Sequence, residues 1–435
     1  MKFEKSRQLQ QKSHSLIPGG GHTYAKGDDQ YPILAPGFIV RGEGSHVWDP
    51  DGNEFIEYGM GLRAVTLGHG FRPVVEAAYR EMAAGINFTR PSPIEAQCAE
   101  TLLGLIDGAD MAKFAKNGSD ATTAAVKLAR AYTGKDLIAL CGDQAFFSTD
   151  DWFIGSTAMS AGIPQAIRDL SLKFHFNDIG SLRELFKAYP GQIACVVLEA
   201  ATTVEPADGF LQDVRTVCKE EGAVFILDEM ITGFRWHIGG AQAYYGVEPD
   251  LSAFGKALAN GFSVSALVGK REIMELGGLF HDKDRVFLLS TTHGAENHAL
   301  AAAVKTMEVY KEQDVITHLW NKGETLRLGL NRVARELGVD DFFHVVGMPC
   351  SLVYATWDPE KKPSQVYRAL FMQETIKRGL LMPSLVVSFA HTDADIAKTI
   401  DGIGEALVVY EKALREGADK YLIGRPVKPV FRARN

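Results

Sequence analysis

The sequence predicts an α/β protein, with a mostly parallel sheet between helices and a smaller α+β unit. Three observations predict it. From about residue 75 onward, helical and extended patterns alternate. Residues 195–198 and 224–227 are continuous apolar runs, as strands buried on both faces require. The chain has 435 residues, 46% hydrophobic and 23% charged, which is enough apolar material for more than one domain.

The elements follow in order. The first 60 residues are mixed. They hold the run Gly19-Gly20-Gly21 and a hairpin in which residues 44–49 meet residues 54–58 across the turn residues Asp51-Gly52-Asn53. Residues 74–83 and 94–105 read as amphipathic helices, and 111–116 as a short strand. Residues 121–132 form a helix with small and apolar residues crowding one face, and 137–141 form the next strand. After the two apolar strands, a long helical stretch runs from 295 to 311 and beyond. Residues from about 325 onward read as the smaller α+β unit, with strands at 343–346 and 352–355. Residues 411–435 read as a charged surface helix and arm rather than a site. No repeat and no low-complexity segment is present.

Composition excludes several functions. Lys plus Arg is 46 and Asp plus Glu is 54, a net charge of −8, which argues against a chain that coats nucleic acid. Apolar runs fall short of the ~18–20 residues of a membrane span. The start Met1-Lys2-Phe3-Glu4-Lys5 turns polar at once, so no signal peptide is expected. Cys98, Cys141, Cys195, Cys218 and Cys350 are widely spaced without a CxxC pair. Reduced cysteines in a cytoplasmic protein are expected, and no metal site. A nicotinamide enzyme is disfavoured because no GxGxxG turn has an acidic residue ~20 positions on.

Four segments carry candidate chemistry. In 114–121 a strand ends and a helix begins at Gly118 and Ser119, where free N–H groups and the helix dipole favour a phosphate; a plain capped turn has the same pattern. In 224–229 a hydrophobic strand ends in Asp228 and Glu229, at the strand end where α/β sheets bind ligands. In 249–257 Lys256 follows an apolar run and a glycine; burial lowers a lysine pKa and makes its amine a nucleophile. In 290–297 hydroxyls precede a helix start. Each is weak alone. In this order they suggest pyridoxal phosphate, which needs an amine, an anion at its pyridine nitrogen and a phosphate cup.

Further pieces then fall into place: Leu16-Ile17-Pro18-Gly19-Gly20, Trp48-Asp49-Pro50-Asp51-Gly52-Asn53, Leu67-Gly68-His69, Leu128-Ala129-Arg130-Ala131-Tyr132-Thr133-Gly134 and Asp228-Glu229-Met230-Ile231-Thr232-Gly233-Phe234-Arg235. With these the chain resembles the class III aminotransferases, most closely the glutamate-1-semialdehyde aminomutase branch, over nearly its whole length. The resemblance implies the pyridoxal-phosphate transferase fold of type I, with a seven-stranded sheet. It divides the chain into an N-terminal arm and part of the small domain (1–65), a large cofactor domain (66–320) and a C-terminal small domain (321–435). It implies that Lys256 forms the Schiff base and shuttles the proton, and that Asp228 pairs with the pyridine nitrogen. Gly118 and Ser119 would cradle the phosphate. Met230, where the family usually has Val, would lie under the ring. Thr291 would reach the phosphate of the neighbouring subunit's cofactor, in a homodimer with shared sites.

The departures from the family concern the substrate side. The position of the cofactor-stacking Tyr falls on Phe146 and that of the following His on Phe147. The usual Glu-Pro after the middle strand appears as Glu199-Ala200. The Arg that holds the substrate carboxylate becomes Lys26, which offers a point charge without the bidentate fork. Arg63 and Arg90 are further substrate candidates. The leading expectation is an aminotransferase that passes an amino group from a donor such as glutamate to a carbonyl acceptor by a ping-pong cycle, through pyridoxamine phosphate. An aminomutase comes second, a racemase third, and a non-catalytic cofactor-binding regulator is the alternative from another class. No nucleic-acid or membrane partner is expected.

Overall fold

The computed structural model describes residues 1–433. The chain divides into two compact units. One combines Met1–Phe71 with Thr317–Arg432, and the other is Arg72–Ile316. In chain order the strands are β1 (Arg41–Glu43), β2 (His46–Trp48), β3 (Glu54–Glu57), β4 (Met111–Ala115), β5 (Leu137–Cys141), β6 (Ser171–Phe174), β7 (Ile193–Glu199), β8 (Val224–Asp228), β9 (Leu251–Phe254), β10 (Ser265–Gly269), β11 (Phe343–Val346), β12 (Val353–Thr356) and β13 (Leu380–Leu381).

The 72–316 unit is built on a seven-stranded sheet of order β4-β10-β9-β8-β7-β5-β6. All pairings are parallel except those of β10, which runs antiparallel to β4 and β9. Every residue of β7 and β8 is buried, so their apolar runs follow from having helices on both faces. Burying such side chains contributes roughly 1.5–3 kcal/mol each, which fixes these strands at the sheet's centre. The helix Gly118–Thr133 buries Ala121, Ala124, Ala125 and Ala129. Those small residues are the face that the sequence marks as crowded. Strand β10 was not anticipated. It follows β9 through a short 3-10 turn at Lys256–Ala259 rather than a helix, which breaks the helix–strand alternation.

The other unit carries a four-stranded sheet of order β1-β2-β3-β13 and the β11-β12 pair. The expected hairpin is β2 with β3, antiparallel with Trp48 opposite Glu54. Its core gathers Tyr58, Phe343, Tyr354, Phe371 and Tyr410. The helix Glu4–Leu16, also unforeseen, opens the chain; its exposed, mostly polar face gives no apolar stripe to read. Among the described residues no helix is long and apolar enough to cross a membrane, and no cluster of three metal-ligating side chains occurs. The five cysteines are buried and unpaired with one another. Burial pushes the thiols of Cys98, Cys141 and Cys195 up to about 12, so none is poised as a nucleophile.

Candidate active site

Strand β8 delivers two adjacent carboxylates at its carboxyl end, and alternation sends them in different directions. Asp228 pairs in register with Glu199 of β7 and Ala253 of β9. It is 2% exposed, and its Oδ1 accepts the Met230 N–H at 2.8 Å. Burial pushes its carboxyl well above the ordinary aspartate value. The Lys256 ammonium and the Met230 N–H pull it partly back. Glu229 is fully buried, but its partners are structural. It accepts the Ala241 and Gln242 N–H groups at 3.0 and 2.8 Å, and the Thr232 hydroxyl. It therefore holds the start of the helix Gly240–Tyr244.

Lys256 follows β9 after one glycine and is half-buried in an otherwise buried run. Its φ is +39°, a conformation that costs a non-glycine residue about 1–3 kcal/mol and collects at functional sites. Met230 is wedged beside it. A Cβ on Gly255 would fall 2.6 Å from the Met230 sulfur, and a Cβ on Gly118 would fall 2.7 Å from the same atom. Those two glycines have no side chain because this thioether fills the space between them.

Gly118 opens the helix Gly118–Thr133. Asn117 is its N-cap, and the Asp120 carboxylate accepts the Asn117 N–H at 2.9 Å. The turn is anchored to β10, since Ser265 Oγ donates to Asn117 O at 2.6 Å. Ser119 Oγ accepts the Thr149 N–H at 2.9 Å, which leaves its own proton free to donate. Thr122 Oγ1 donates to Phe147 O at 2.8 Å. These two bonds fix the 143–149 loop against the helix start. Phe147 is buried, whereas Phe146 is 43% exposed and meets Phe153 edge-on at 5.6 Å. Gln144, which the sequence did not single out, bridges the loop to β7. It donates to Glu199 O at 2.8 Å and accepts the Glu199 N–H at 2.7 Å. A lone Gln before a loop carries no chemical signature, so nothing in the sequence flagged it.

The structure thus brings together Asp228, Met230, Lys256, Gly118 and Ser119, with Phe146 on a loop tied to Ser119. Thr291 and Arg90 lie on exposed segments of the same unit. Thr291 precedes the helix Asn297–Glu312. There Glu296 pairs with Lys116, which holds its carboxyl below the usual range. Lys26 and Arg63 belong to the other unit. Lys26 is exposed and ends a 3-10 turn, Tyr24–Lys26. Arg63 closes a left-handed turn in which Met60, Gly61, Leu62 and Arg63 have φ of 42, 59, 57 and 71°.

A family model described as "Aminotransferase class-III" matches residues 24–352. A curated relative named 3-aminobutyryl-CoA aminotransferase, from Cloacimonas acidaminovorans, is 30% identical and covers 95% of this chain and 99% of its own. A glutamate-1-semialdehyde 2,1-aminomutase from Alkaliphilus metalliredigens is 31% identical, covering 94% and 97%. Among solved structures, the PLP internal aldimine form of the FumI protein of Sphingopyxis sp. MTA144 is 28% identical. It superposes with a TM-score of 0.85 over 97% of this chain and 98% of that one. The turn at Gly118, the strand end at Asp228 and the lysine after β9 therefore sit in a chain that belongs to the class III aminotransferases, a family of pyridoxal-phosphate-dependent enzymes.

Proposed function

We propose that this chain is an aminotransferase that takes an amino group from a small-molecule donor, with glutamate first to be tested, and gives it to a carbonyl acceptor. The observation that carries the reading is the convergence of a buried Asp228, the Lys256 amine and the glycine at the helix start around Met230. The residues fit pyridoxal phosphate. Burial disfavours the charge on Asp228, and a protonated ring nitrogen would add a counter-ion to the one that Lys256 already supplies. The helix start at Gly118 leaves no room for a side chain and presents free N–H groups to a phosphate.

Bound there, the cofactor supplies an electron sink for the pair left when a proton leaves the amino-bearing carbon. The chain's own residues do the rest. Lys256 supplies the amine that holds the cofactor and, once released, carries the proton at that carbon. Asp228 holds a proton at the ring nitrogen. Gly118 N–H and Ser119 Oγ bind the phosphate, while Phe146 and Met230 pack on the ring. Thr291 is assigned to the phosphate of a neighbouring subunit's cofactor, in a cytoplasmic homodimer. Lys26, Arg63 and Arg90 are assigned to the substrate's anionic group. The aminomutase-named relatives support a second reading, intramolecular amino transfer.

An absorbance spectrum of the PLP-loaded protein, titrated with L-glutamate and no acceptor, tests the reading. A visible band that glutamate bleaches supports transamination. A band that glutamate leaves intact but glutamate-1-semialdehyde alters favours the aminomutase. Absence of a band after PLP is added, with bound pyridoxamine phosphate excluded chemically, overturns the Lys256 assignment.

A further inference from the structure

The last stretch of the chain reads as a plain charged arm, yet its contacts are concentrated on one segment near the N-terminus. Arg425 Nη2 donates to Asp28 O at 2.8 Å, and Nη1 to Tyr31 O at 3.4 Å. Arg432 Nη2 meets Asp29 Oδ2 at 2.5 Å, and the Lys428 N–H donates to Asp29 O at 2.9 Å. Val427 is buried and packs with Tyr31 in one core cluster. Gly424 has φ +87°, and a Cβ there would lie 2.1 Å from the Ile33 Cδ1, so the Ile33 side chain packs directly on the Gly424 backbone. At the start of this stretch, the Ile423 N–H donates to Gln373 Oε1 at 2.8 Å, which roots the arm in the body of the unit.

The clasped segment, residues 26–33, walls a cavity of about 700 Å³ within this unit. Arg7, Lys26 and Arg425 face it, against the carboxylates Asp28 and Glu57. Glu57 is matched by His69 Nε2 at 2.8 Å. Asp28 is taken by His14 at 3.3 Å and Arg425 at 3.8 Å. Among the described residues, Arg7 and Lys26 have no carboxylate partner. The lining is therefore left with unmatched positive charge beside an apolar wall that includes Phe38 and Pro383. A cavity with that balance recruits an anion.

We infer that the C-terminal arm is a strap: Arg425 and Arg432 are positioning residues that hold the Lys26 segment in place as the wall of an anion-binding cavity. The ligand class is a small molecule with a carboxylate or a phosphate. The inference rests on the reading of Lys26 as a substrate contact. The strap explains why that lysine, at the end of one 3-10 turn and followed by a second, with no sheet or long helix of their own, has a fixed place at all.

The test uses the PLP-loaded full chain and two unreactive probes, glutarate and glycerol 3-phosphate, followed by titration calorimetry. One probe is expected to bind saturably, and which one binds separates carboxylate from phosphate recognition. Arg425→Met, which removes both the strap and a cavity charge, should weaken binding by about tenfold, a loss of about 1.4 kcal/mol. Arg432→Met touches only the strap and should weaken it by a few fold, with Arg432→Lys restoring most of the loss. Amide exchange should quicken at residues 26–31 in both methionine variants and stay unchanged at residues 224–230. Failure of wild type to bind either probe, equal affinity in Arg425→Met, or unchanged exchange at 26–31 overturns the proposal. Bleaching by glutamate is read separately, so its survival in any of those outcomes leaves the transaminase reading standing while the strap falls.

Discussion

The candidate charged groups are placed in opposite ways in the unit carrying Lys256 and in the unit carrying Lys26. In the first, Asp228 and Glu229 are buried at a strand end and fixed by backbone N–H groups. In the second, Lys26 is exposed on a 3-10 turn that an arm from the far end of the chain keeps in place. Burial shifts pKa values and prepays orientation, which is what proton transfer needs. Exposure leaves a charge in water, which suits recognition by a group that a different residue can replace. The contrast teaches a division of labour between residues: changes at Asp228 and Lys256 should alter colour and kcat, and changes at Lys26 should alter KM alone.

The largest expected effect breaks the comparison most cleanly. Lys256→Ala should lower turnover by more than about 10⁴-fold, since both the holding amine and the proton carrier are lost. The absorbance of the PLP-loaded variant should shift away from that of wild type, with the fold intact by circular dichroism. Multiple turnovers at a wild-type rate would show that another amine does the work.

Asp228→Asn comes next, with a loss of about 10²–10³-fold in kcat and PLP still bound, because a fixed charge at the developing centre is removed. The same carboxylate makes a second, signed prediction for the PLP-free protein. Its folded pKa is raised, so its contribution to stability is complete below the ordinary aspartate value of about 4 and is lost as pH rises through the folded value toward neutrality. Asp228→Asn should therefore melt higher than wild type in the PLP-free state at pH 8, and the advantage should shrink at pH 5. Loading with PLP should reverse the order at pH 8. Equal melting differences at both pH values would mean that Asp228 carries no burial penalty. Glu229→Gln is the control: it turns a donating NH2 toward one of the two N–H groups in place of an accepting oxygen, costs about 1–3 kcal/mol of stability, and spares the spectrum.

The same contrast decides what the sequence made readable. Strands β7 and β8 announce themselves because burial on both faces forces unbroken apolar runs, and a carboxylate after such a run stands out. The lysine after β9 and the glycine at the helix start were legible for the same reason: each sits where a regular element stops. Within that unit, β10 was missed because no helix precedes it, and Gln144 because its role is a pair of backbone hydrogen bonds with no chemical signature. The other unit yielded its hairpin, where Asp51-Gly52-Asn53 carries turn chemistry. Its left-handed turn at Met60–Arg63 was invisible, since Met, Leu and Arg give no hint of positive φ. The clasp of Arg425 on Asp28 joins residues 397 positions apart, a relation no local pattern encodes.

The smallest expected effect sharpens the comparison within the first unit. Gly118→Ala places a methyl 2.7 Å from the Met230 sulfur, and the flexible thioether must swing aside. PLP affinity should fall by about tenfold, or 1.4 kcal/mol, with little change in substrate KM. Met230→Val removes the clashing sulfur and should by itself cost only a few fold. If the wedge is what couples the phosphate turn to the lysine, the double variant binds PLP better than Gly118→Ala alone, with an interaction energy of about 1 kcal/mol between the two sites. Strict additivity, measured by fluorescence titration of PLP into the four proteins, would mean that Gly118 is needed for the phosphate itself and that Met230 is only filling. A change confined to PLP affinity would place the whole pair on the cofactor side of the division. A parallel rise in substrate KM would show that Gly118 and Met230 also shape the substrate side.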